Sequence, residues 1–228
     1  MQDFKNHAAR LGLTFINLDL LIEALTHRSY LNEHRTLGTH NERLEFLGDA
    51  VLELAVTRFL FEKFPSKPEG TLTAYRAALV NTFSLADVAD GLGINDMLLL
   101  SKGEKKDIGR ARQIILANAF EAILGALYLD QGFEAAESFL AIQLYPKIDA
   151  VIANRAYQDA KSHFQEEAQE KRSTTPTYKT LSEEGPDHDK QFTVGVFLGN
   201  EEIGRGDGKS KQEAEQAAAQ NALEKTGW

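Results

Sequence analysis

The spacing of apolar residues changes character about two thirds of the way along the chain. Over about the first 150 residues, apolar side chains recur every three or four positions, and strand-like alternation is nearly absent. This spacing is typical of amphipathic helices that pack around one core. The segments that show it are LDLLIEALTHRSYL, THNERLEFLGDAVLELAV, TLTAYRAALVNTFSLADVADGLG, QIILANAFEAILGALYLDQG and FEAAESFLAIQLYPKIDAVI. The pattern predicts an all-α first domain at 1–151.

The rest of the chain changes to short segments of mixed type. A helical segment, DAKSHFQEEAQEKR, is followed by the strand-like segments TYKTLSEEG, KQFTVGVFLG and EEIGRGDGKS, and then by the alanine-rich helix KQEAEQAAAQNALEKTG. In the middle strand, Phe192, Val194 and Val196 share one face, as in a half-buried strand. The order predicts a small α-β-β-β-α domain at 158–227, and therefore an α+β protein of two domains.

The segment THNERLEFLGDAVLELAV combines a helical pattern with three closely spaced carboxylates. At about 100° per residue, Glu42, Glu45 and Asp49 lie within about 60° of one another on the helix surface. The apolar residues on the opposite side are predicted to face the core: Leu44, Leu47, Val51, Leu54 and Ala55. Carboxylates at this spacing repel one another by a few tenths of a kcal/mol per pair. A bound cation would offset that repulsion.

A second acidic pair lies in ILANAFEAILGALYLD, where Asn118 and Glu121 are about one helical turn apart. Small neighbours such as Gly125 leave room for another helix or for a metal ion. Two antiparallel helices that present this pair from one side, and Glu45 and Asp49 from the other, would form an all-oxygen site for Mg²⁺ or Mn²⁺. Such a metal can activate a water and stabilise charge on a phosphoryl group, which suits phosphodiester hydrolysis. The alternative for each pair is a solvated or ion-paired helix face.

Phe46 lies on the acidic side of its helix, about 40° from Glu42, and away from the side predicted to face the core. An aromatic ring at this position needs a covering surface. Either another helix of the same chain covers it, or a second subunit does. A second subunit related by twofold symmetry would bring two acidic clusters into one assembly.

The amino-acid composition limits the possible metal ligands, binding partners and cellular compartment of the protein. The chain has a net charge of −9 and no cysteine, so a metal must be held by oxygen atoms or histidine. We expect a cytoplasmic protein without a membrane partner, because there is no apolar run of 18 residues and the first residues are polar. A nucleic-acid partner would need basic patches or bound divalent ions. The most basic segment, 101–113, is predicted to be a mobile loop, either solvated or in contact with substrate.

The motif NERLEFLGDAVL resembles the signature of ribonuclease III, the double-strand-specific RNA endonuclease. The resemblance extends to ALTHRSYLNE, EGTLTAYRAALVN, LSKGE and ILANAFEAILGALYLD, and so covers most of residues 5–145. The segments PTYKTLSEEGPDHDKQFTV and GRGDGKSKQEAEQAAAQNAL resemble the double-stranded-RNA-binding domain of the same family. The resemblance implies an endonuclease domain followed by an RNA-binding domain.

The resemblance also implies a metal site. Glu45, Asp49 and Glu121 match family positions that surround Mg²⁺, and Asp49 and Glu121 are the expected catalytic residues. At the fourth metal position the family has an Asp, whereas this chain has Asn118. An amide oxygen can still ligate Mg²⁺ but brings no charge, so this site should hold the metal less tightly.

Three further positions match residues that the family uses around the site and the dimer. Glu42 and Glu69 match acidic positions that support the site or the assembly, and surface salt bridges are the alternative for both. Phe46 matches the aromatic that family members insert into the partner subunit. The resemblance therefore favours a homodimer.

In the second domain, the resemblance implies RNA contacts from the first helix, from the loop between the first two strands and from the start of the last helix. The matching residues are Ser162, Gln165, Glu166 and Gln169; Pro186 and His188; and Lys209, Ser210 and Lys211. The chain departs from the family at Gln212, where a second basic residue is usual. Because residues 155–228 contain 10 Lys or Arg against 14 Asp or Glu, we expect modest affinity that salt weakens quickly.

The function that the resemblance implies is cleavage of double-stranded RNA by a homodimeric endoribonuclease. The expected products carry 5′-phosphate and 3′-hydroxyl ends with two-nucleotide 3′ overhangs. The expected substrates are ribosomal RNA precursors and structured messages. The alternative is a double-stranded-RNA-binding protein that cuts weakly, because Asn118 removes one charge from the metal site.

Overall fold

Residues 3–34, 38–106, 108–153, 160–186 and 190–228 are described by this computed structural model. The chain divides into two units, Met1–Tyr157 and Gln158–Trp228, each with its own apolar core. The first unit is helical and the second has the order α-β-β-β-α. The predicted fold class is therefore confirmed.

Two long helices, α4 and α8, organise the first unit. Its helices are α1 Phe4–Arg10, α2 Leu18–Ala24, α3 Arg28–Leu31, α4 Glu42–Lys63, α5 Glu69–Val80, α6 Thr82–Gly91, α7 Ile94–Met97, α8 Arg110–Gln131, α9 Phe133–Gln143 and α10 Lys147–Ala153. In α8 the residues from Ile115 to Leu127 are buried in a run that is interrupted only at Asn118 and Glu121. Among the helices described, α8 alone is long and apolar enough to cross a membrane, and 61% of its most apolar stretch is buried inside the protein.

Three breaks divide segments with continuous helical periodicity. Asn81 separates α5 from α6: its amide group donates to the Ala78 carbonyl at 2.9 Å, and its side-chain oxygen accepts from the Ser84 N–H at 3.0 Å. Pro146, which has no N–H to donate, lies between α9 and α10. Between α2 and α3, a short bridge to Leu99 holds the chain extended.

The prediction that Leu54 faces the core is wrong, because its side chain is 60% exposed. The buried side of α4 is centred near Gly48 and Leu52, where this helix meets α8. The other predicted core residues of the segment are buried or half-buried: Leu44, Leu47, Val51 and Ala55. Leu54 is therefore left on the outer face of the helix.

Part of the basic segment 101–113 is helical, contrary to the predicted loop. Glu104–Lys106 form a 3₁₀ turn, and α8 already begins at Arg110. The Arg112 guanidinium donates to the carbonyl of Glu104 at 2.9 Å. This hydrogen bond ties the turn to the first residues of α8.

The second unit packs helices against a three-stranded sheet. Its elements are α11 Ala160–Arg172, β1 Thr177–Glu184, β2 Gln191–Leu198, β3 Glu201–Gly208 and α12 Lys211–Thr226. The sheet is antiparallel with the order β1-β2-β3. Phe164 of α11 and Val194 and Val196 of β2 pack in its core with alanines of α12.

Alternate glycines in β3 let α12 lie directly on the sheet. A Cβ atom on Gly204 would lie 2.6 Å from the Ala218 carbonyl oxygen, and one on Gly208 would lie 2.5 Å from the Ala214 N–H nitrogen. Gly206, between them, faces the backbone of α12 in the same way. The glycines of the motif GRGDG therefore pack directly against the alanine-rich helix α12.

Candidate functional site

Helices α4 and α8 touch backbone to backbone at a pair of glycines. A Cβ atom on Gly48 would overlap the carbonyl oxygen of Glu121, and one on Gly125 would overlap the carbonyl oxygen of Leu44. Glycine is therefore required at both positions for this crossing. The sequence pattern indicates the role of Gly125 but does not single out Gly48. The available signal is a glycine inside an otherwise helical segment, where it costs about 1 kcal/mol relative to alanine.

The crossing brings the two predicted acidic pairs together, with Glu45 and Asp49 on α4 and Asn118 and Glu121 on α8. Burial, together with Asp49 and Glu45, raises the pKa of Glu121 from 4.5 to about 8. Burial and the nearby Glu42 also raise the pKa of Glu45, and a side-chain hydrogen bond with Asn118 opposes that rise. We call these four side chains the acidic cluster. Without a cation, Glu121 is largely protonated at neutral pH.

Glu53 is a fifth side chain that acts on the acidic cluster. Its charge contributes to the raised pKa of Glu121. It is held by Arg76 of α5, whose Nε lies 2.9 Å from Glu53 Oε2 and whose Nη1 donates to the Thr57 hydroxyl at 2.8 Å. Glu53 is absent from the acidic residues predicted from the sequence, although helical spacing places it one turn beyond Asp49 on the same face.

The donor set of the acidic cluster fits a hard divalent cation. All its potential ligand atoms are carboxylate or amide oxygens, the type that Mg²⁺ and Mn²⁺ prefer. Among the residues that the structure describes, no three His, Asp or Glu side chains already converge closely enough to hold a metal ion. Burial first, and then the neighbouring carboxylates, raise the pKa values of Glu45 and Glu121, so the cluster favours a positive charge placed among its oxygens. The residues thus fit such a cation by donor type and charge.

The two supporting acidic residues have local partners. Glu42 Oε1 lies 3.2 Å from Arg28 Nη1, and Glu69 accepts a hydrogen bond from the Thr73 hydroxyl at 2.9 Å. Glu42 is close enough to raise the pKa of Glu45, so it contributes to the field of the acidic cluster. Glu69 instead lines a groove between α4 and α5.

The outer face of α4 carries an apolar stripe formed by Phe46, Ala50, Leu54 and Phe61, here called the outer stripe. Phe46 is 81% exposed and Phe61 71% exposed, so no described part of the chain covers them. The groove beside Phe61 has a volume of about 400 Å³ and is lined by Leu60 and Leu72 among others. The outer stripe and the groove together form an apolar surface without a partner among the described residues.

In the second unit, four predicted RNA contacts lie together on α11. Ser162, Gln165, Glu166 and Gln169 line one open depression of about 530 Å³. Their spacing along the helix, with exposed side chains at each position, forms a continuous polar face. Pro186 follows the end of β1, and His188 lies outside the described residues.

The other predicted RNA contacts lie at the start of α12. The Ser210 hydroxyl caps the helix by accepting from the Glu213 N–H at 3.1 Å, and Glu213 in turn accepts from the Lys209 N–H at 2.9 Å. Lys211 Nζ lies 2.8 Å from Glu183 Oε1 of β1. The structure thus brings these three residues together, but it pairs Lys211 with a carboxylate that the sequence analysis does not identify.

Comparison with known proteins matches both units. The family described as Ribonuclease-III-like matches residues 17–148, and the double-stranded RNA binding motif matches residues 160–226. Ribonuclease 3 of Geobacillus kaustophilus is 50% identical over 222 residues, which cover 97% of this chain and 90% of that protein. Ribonuclease 3 of Anoxybacillus flavithermus is 51% identical over 223 residues, which cover 97% of this chain and 93% of that protein.

A solved structure of the nuclease domain of ribonuclease III from Campylobacter jejuni is similar to 63% of this chain and 99% of its own chain. The TM-score is 0.57 and the sequence identity is 41%. That structure is described as showing flexibility in the region involved in dimer formation. Because one family match spans more than half of the chain, and relatives about 50% identical span nearly all of it, this chain belongs to the ribonuclease III family and carries a double-stranded RNA binding motif in its second unit.

Proposed function

We propose that this protein is a Mg²⁺-dependent endoribonuclease that cuts double-stranded RNA, with Mn²⁺ able to replace Mg²⁺. The observation that carries the proposal is the close crossing of α4 and α8 at Gly48 and Gly125, which places Glu45 and Asp49 near enough to raise the pKa of Glu121. The products carry 5′-phosphate and 3′-hydroxyl ends with two-nucleotide 3′ overhangs. The substrates are ribosomal RNA precursors and structured messages in the cytoplasm, and no membrane takes part.

Each residue of the acidic cluster has a role in this proposal. Glu45, Asp49, Asn118 and Glu121 hold the cation, and Asp49 and Glu121 are the catalytic residues. A cation bound there lowers the pKa of water and stabilises negative charge on a transferring phosphoryl group. A bound cation favours the ionised form of Glu121, so binding should release the proton that Glu121 holds in the cation-free protein. Asn118 adds an uncharged oxygen ligand, and its side chain forms a hydrogen bond with Glu45.

The proposed enzyme is a homodimer formed through the outer stripe. The exposed rings of Phe46 and Phe61 present a large apolar area. Burial of apolar area between two subunits stabilises a dimer by about 25 cal/mol per Å². The groove beside Phe61 is apolar and large enough for an aromatic ring, and Phe46 of a second copy is its proposed occupant. Each subunit then contributes one acidic cluster, and each cluster cuts one strand.

The second unit supplies affinity for the RNA duplex. The polar face of α11 and the start of α12 are suited to the minor-groove and phosphate contacts of this type of domain, which recognises shape and not sequence. At the start of α12, where Ser210 already accepts from the Glu213 N–H, the other N–H groups of the first turn favour a phosphate. Because this unit binds the RNA duplex by its shape, the nuclease unit can act on duplexes of unrelated sequence.

One observation favours a second candidate function. Asn118 leaves the acidic cluster with one charge fewer than a cluster of four carboxylates, which weakens its hold on a cation. The alternative is therefore a protein that binds double-stranded RNA but cuts it weakly. The two functions make opposite predictions for one experiment.

The experiment incubates the full chain with an end-labelled RNA duplex at millimolar Mg²⁺ and, separately, with EDTA. We expect cleavage only with Mg²⁺ and no cleavage of either single strand alone. Glu45→Gln should reduce the rate about 10-fold to 100-fold, because the variant loses a metal-binding charge. Glu62→Gln is the matched control on the same helix, since Glu62 pairs with Arg58 on the surface, and it should cut at the rate of the unaltered protein.

Retention of bound but uncut duplex at millimolar Mg²⁺ would favour the binding protein and reject the enzyme. Equal cleavage by Glu45→Gln and by Glu62→Gln would reject the acidic cluster as the site. Sequencing of the product ends tests the predicted overhang and the 5′-phosphate separately.

A further inference from the structure

A carboxylate of β1 is paired with the lysine that starts α12. Glu183 Oε1 lies 2.8 Å from Lys211 Nζ, and Glu183 Oε2 lies 3.9 Å from Lys190 Nζ. The hydrogen bond with Lys211 lowers the pKa of Glu183, so this side chain stays ionised at neutral pH. Each oxygen of one carboxylate thus faces a lysine next to the predicted phosphate contacts.

The surrounding sheet holds this pair in place. Glu183 and Phe192 are direct partners across β1 and β2, so their side chains lie on the same face of the sheet. Lys211 Nζ lies 5.6 Å from the centre of the Phe192 ring, within the range of a cation–π contact. The carboxylate and the ring therefore both contact Lys211 in the protein without RNA.

Other cations of the second unit are also paired with carboxylates. The pairs are Lys161 with Glu215, Lys171 with Glu167, Arg172 with Glu201 and Arg205 with Glu202. Since residues 155–228 also carry an excess of acidic residues, 14 against 10 basic ones, the unit has little net positive field to attract RNA. The affinity then depends strongly on the few lysines that meet phosphates directly.

We propose that Glu183 limits the affinity of this protein for double-stranded RNA by competing with a backbone phosphate for Lys211. The inference rests on the proposed phosphate-binding role of Lys211. When the duplex binds, Lys211 exchanges a carboxylate for a phosphate, so the new ion pair replaces an existing one. Loss of the Glu183 charge removes the competitor and leaves Lys211 to the RNA alone.

The test measures binding of the full chain to a labelled RNA duplex of about 20 base pairs, long enough for one RNA-binding domain. Fluorescence anisotropy is recorded in EDTA, where no cleavage occurs, at several salt concentrations. We expect Glu183→Gln to lower the Kd about threefold to fivefold, the upper part of the range set by exposed ion pairs. The slope of log K against log salt should also steepen, by up to about one, because in the unaltered protein the freed Glu183 carboxylate takes up a cation and offsets part of the counterion release from the RNA.

The matched control is Glu184→Gln, at the next residue of β1. It removes the same charge, and no described residue forms an ion pair with Glu184. Glu184→Gln should change the Kd by less than about half as much as Glu183→Gln does. The difference between the two variants measures the local competition for Lys211, apart from the general loss of negative charge. In a Lys211→Gln background, Glu183→Gln should no longer tighten binding beyond the Glu184→Gln effect.

Equal Kd values for Glu183→Gln and the unaltered protein would overturn the inference while leaving the proposed function intact. The same holds if Glu184→Gln tightens binding as much, or if the Glu183→Gln effect persists without Lys211. Failure of the unaltered protein to bind duplex RNA more tightly than single-stranded RNA would reject the proposed function and the inference together. Circular dichroism of each variant verifies that the exposed substitutions leave the fold unchanged.

Discussion

Glu121 is the residue of the acidic cluster whose pKa is raised to about 8. It lies in the most buried stretch of α8, and the carboxylates of α4 face it across the helix crossing. These two causes act in the same direction and raise its pKa to about 8. The protein without a cation therefore keeps a proton on a residue proposed to hold a metal.

The raised pKa of Glu121 predicts a pH-dependent stability of the cation-free protein. The folded state holds this proton up to about pH 8, whereas the unfolded chain releases it near 4.5. Between these values the unfolded state binds fewer protons, so the free energy of unfolding falls as pH rises. The loss between about pH 5 and about pH 8 should reach up to about 3 kcal/mol.

Glu121→Gln should remove this pH dependence, because the amide resembles the protonated acid at every pH. Urea unfolding in EDTA at about pH 5.5 and about pH 8 measures the difference. We expect the stability of the variant, relative to that of the unaltered protein, to increase from the lower pH to the higher pH. Parallel pH profiles of the two proteins would contradict the predicted shift at Glu121.

At Asn118 the resemblance to ribonuclease III predicts an Asp, so restoring the carboxylate should strengthen cation binding. Asn118→Asp adds a negative charge to the acidic cluster, so the Mg²⁺ concentration for half-maximal cleavage should fall severalfold. The cleavage rate at saturating Mg²⁺ should stay equal or rise. A slower variant would instead show that the hydrogen bond between Asn118 and Glu45 matters more than the missing charge. A Mg²⁺ titration of the cleavage rate distinguishes these outcomes.

At the scale of elements, the crossing of α4 and α8 determines whether the acidic cluster forms. Gly48 lies between Glu45 and Asp49, and Gly125 lies one turn beyond Glu121. Both glycines face the backbone of the other helix at closer range than any side chain allows. The residues that bring the helices together are thus interleaved with the residues proposed to hold the cation.

Gly48→Ala should therefore separate the helices and weaken both fold and activity. We expect a loss of about 2 kcal/mol or more in the free energy of unfolding, since overpacking outweighs the gain in helix propensity. Gly70→Ala is the control: Gly70 lies in α5 with open space around its Cα, so the same change should stabilise by about 0.5–1 kcal/mol. Chemical denaturation measures both, and equal effects at the two sites would contradict the close crossing.

The elements themselves follow from local patterns, and the contacts between them do not. Helical periodicity predicts α4 and α8, and turn-by-turn spacing groups their carboxylates. The side of α4 that is buried depends on where α8 crosses it, which explains the wrong placement of Leu54. The pairing of Lys211 with Glu183 joins residues of a strand and a helix that are distant in sequence. No periodicity within one segment predicts such contacts.

For the whole molecule, the outer stripe predicts the oligomeric state. Leu54→Asp places a charge in the middle of this stripe and should convert the protein to a monomer, because burial of an unpaired charge is costly. Ile142→Asp is the matched control on α9, where the side chain is 71% exposed, and it should leave the dimer intact. Sedimentation velocity measures both. A dimeric Leu54→Asp variant would show that the outer stripe is not the interface.

The proposed reaction requires a cation where α4 and α8 cross. A crystal of the protein soaked with Mn²⁺ locates this cation, because the metal gives its own anomalous scattering peak. We expect one strong peak between the helices, with oxygens of Glu45, Asp49 and Glu121 within about 2.0–2.5 Å. Asn118 should provide a further oxygen at the same distance. Absence of a peak there, in a protein that cuts duplex RNA with Mn²⁺, would reject the acidic cluster as the cation site.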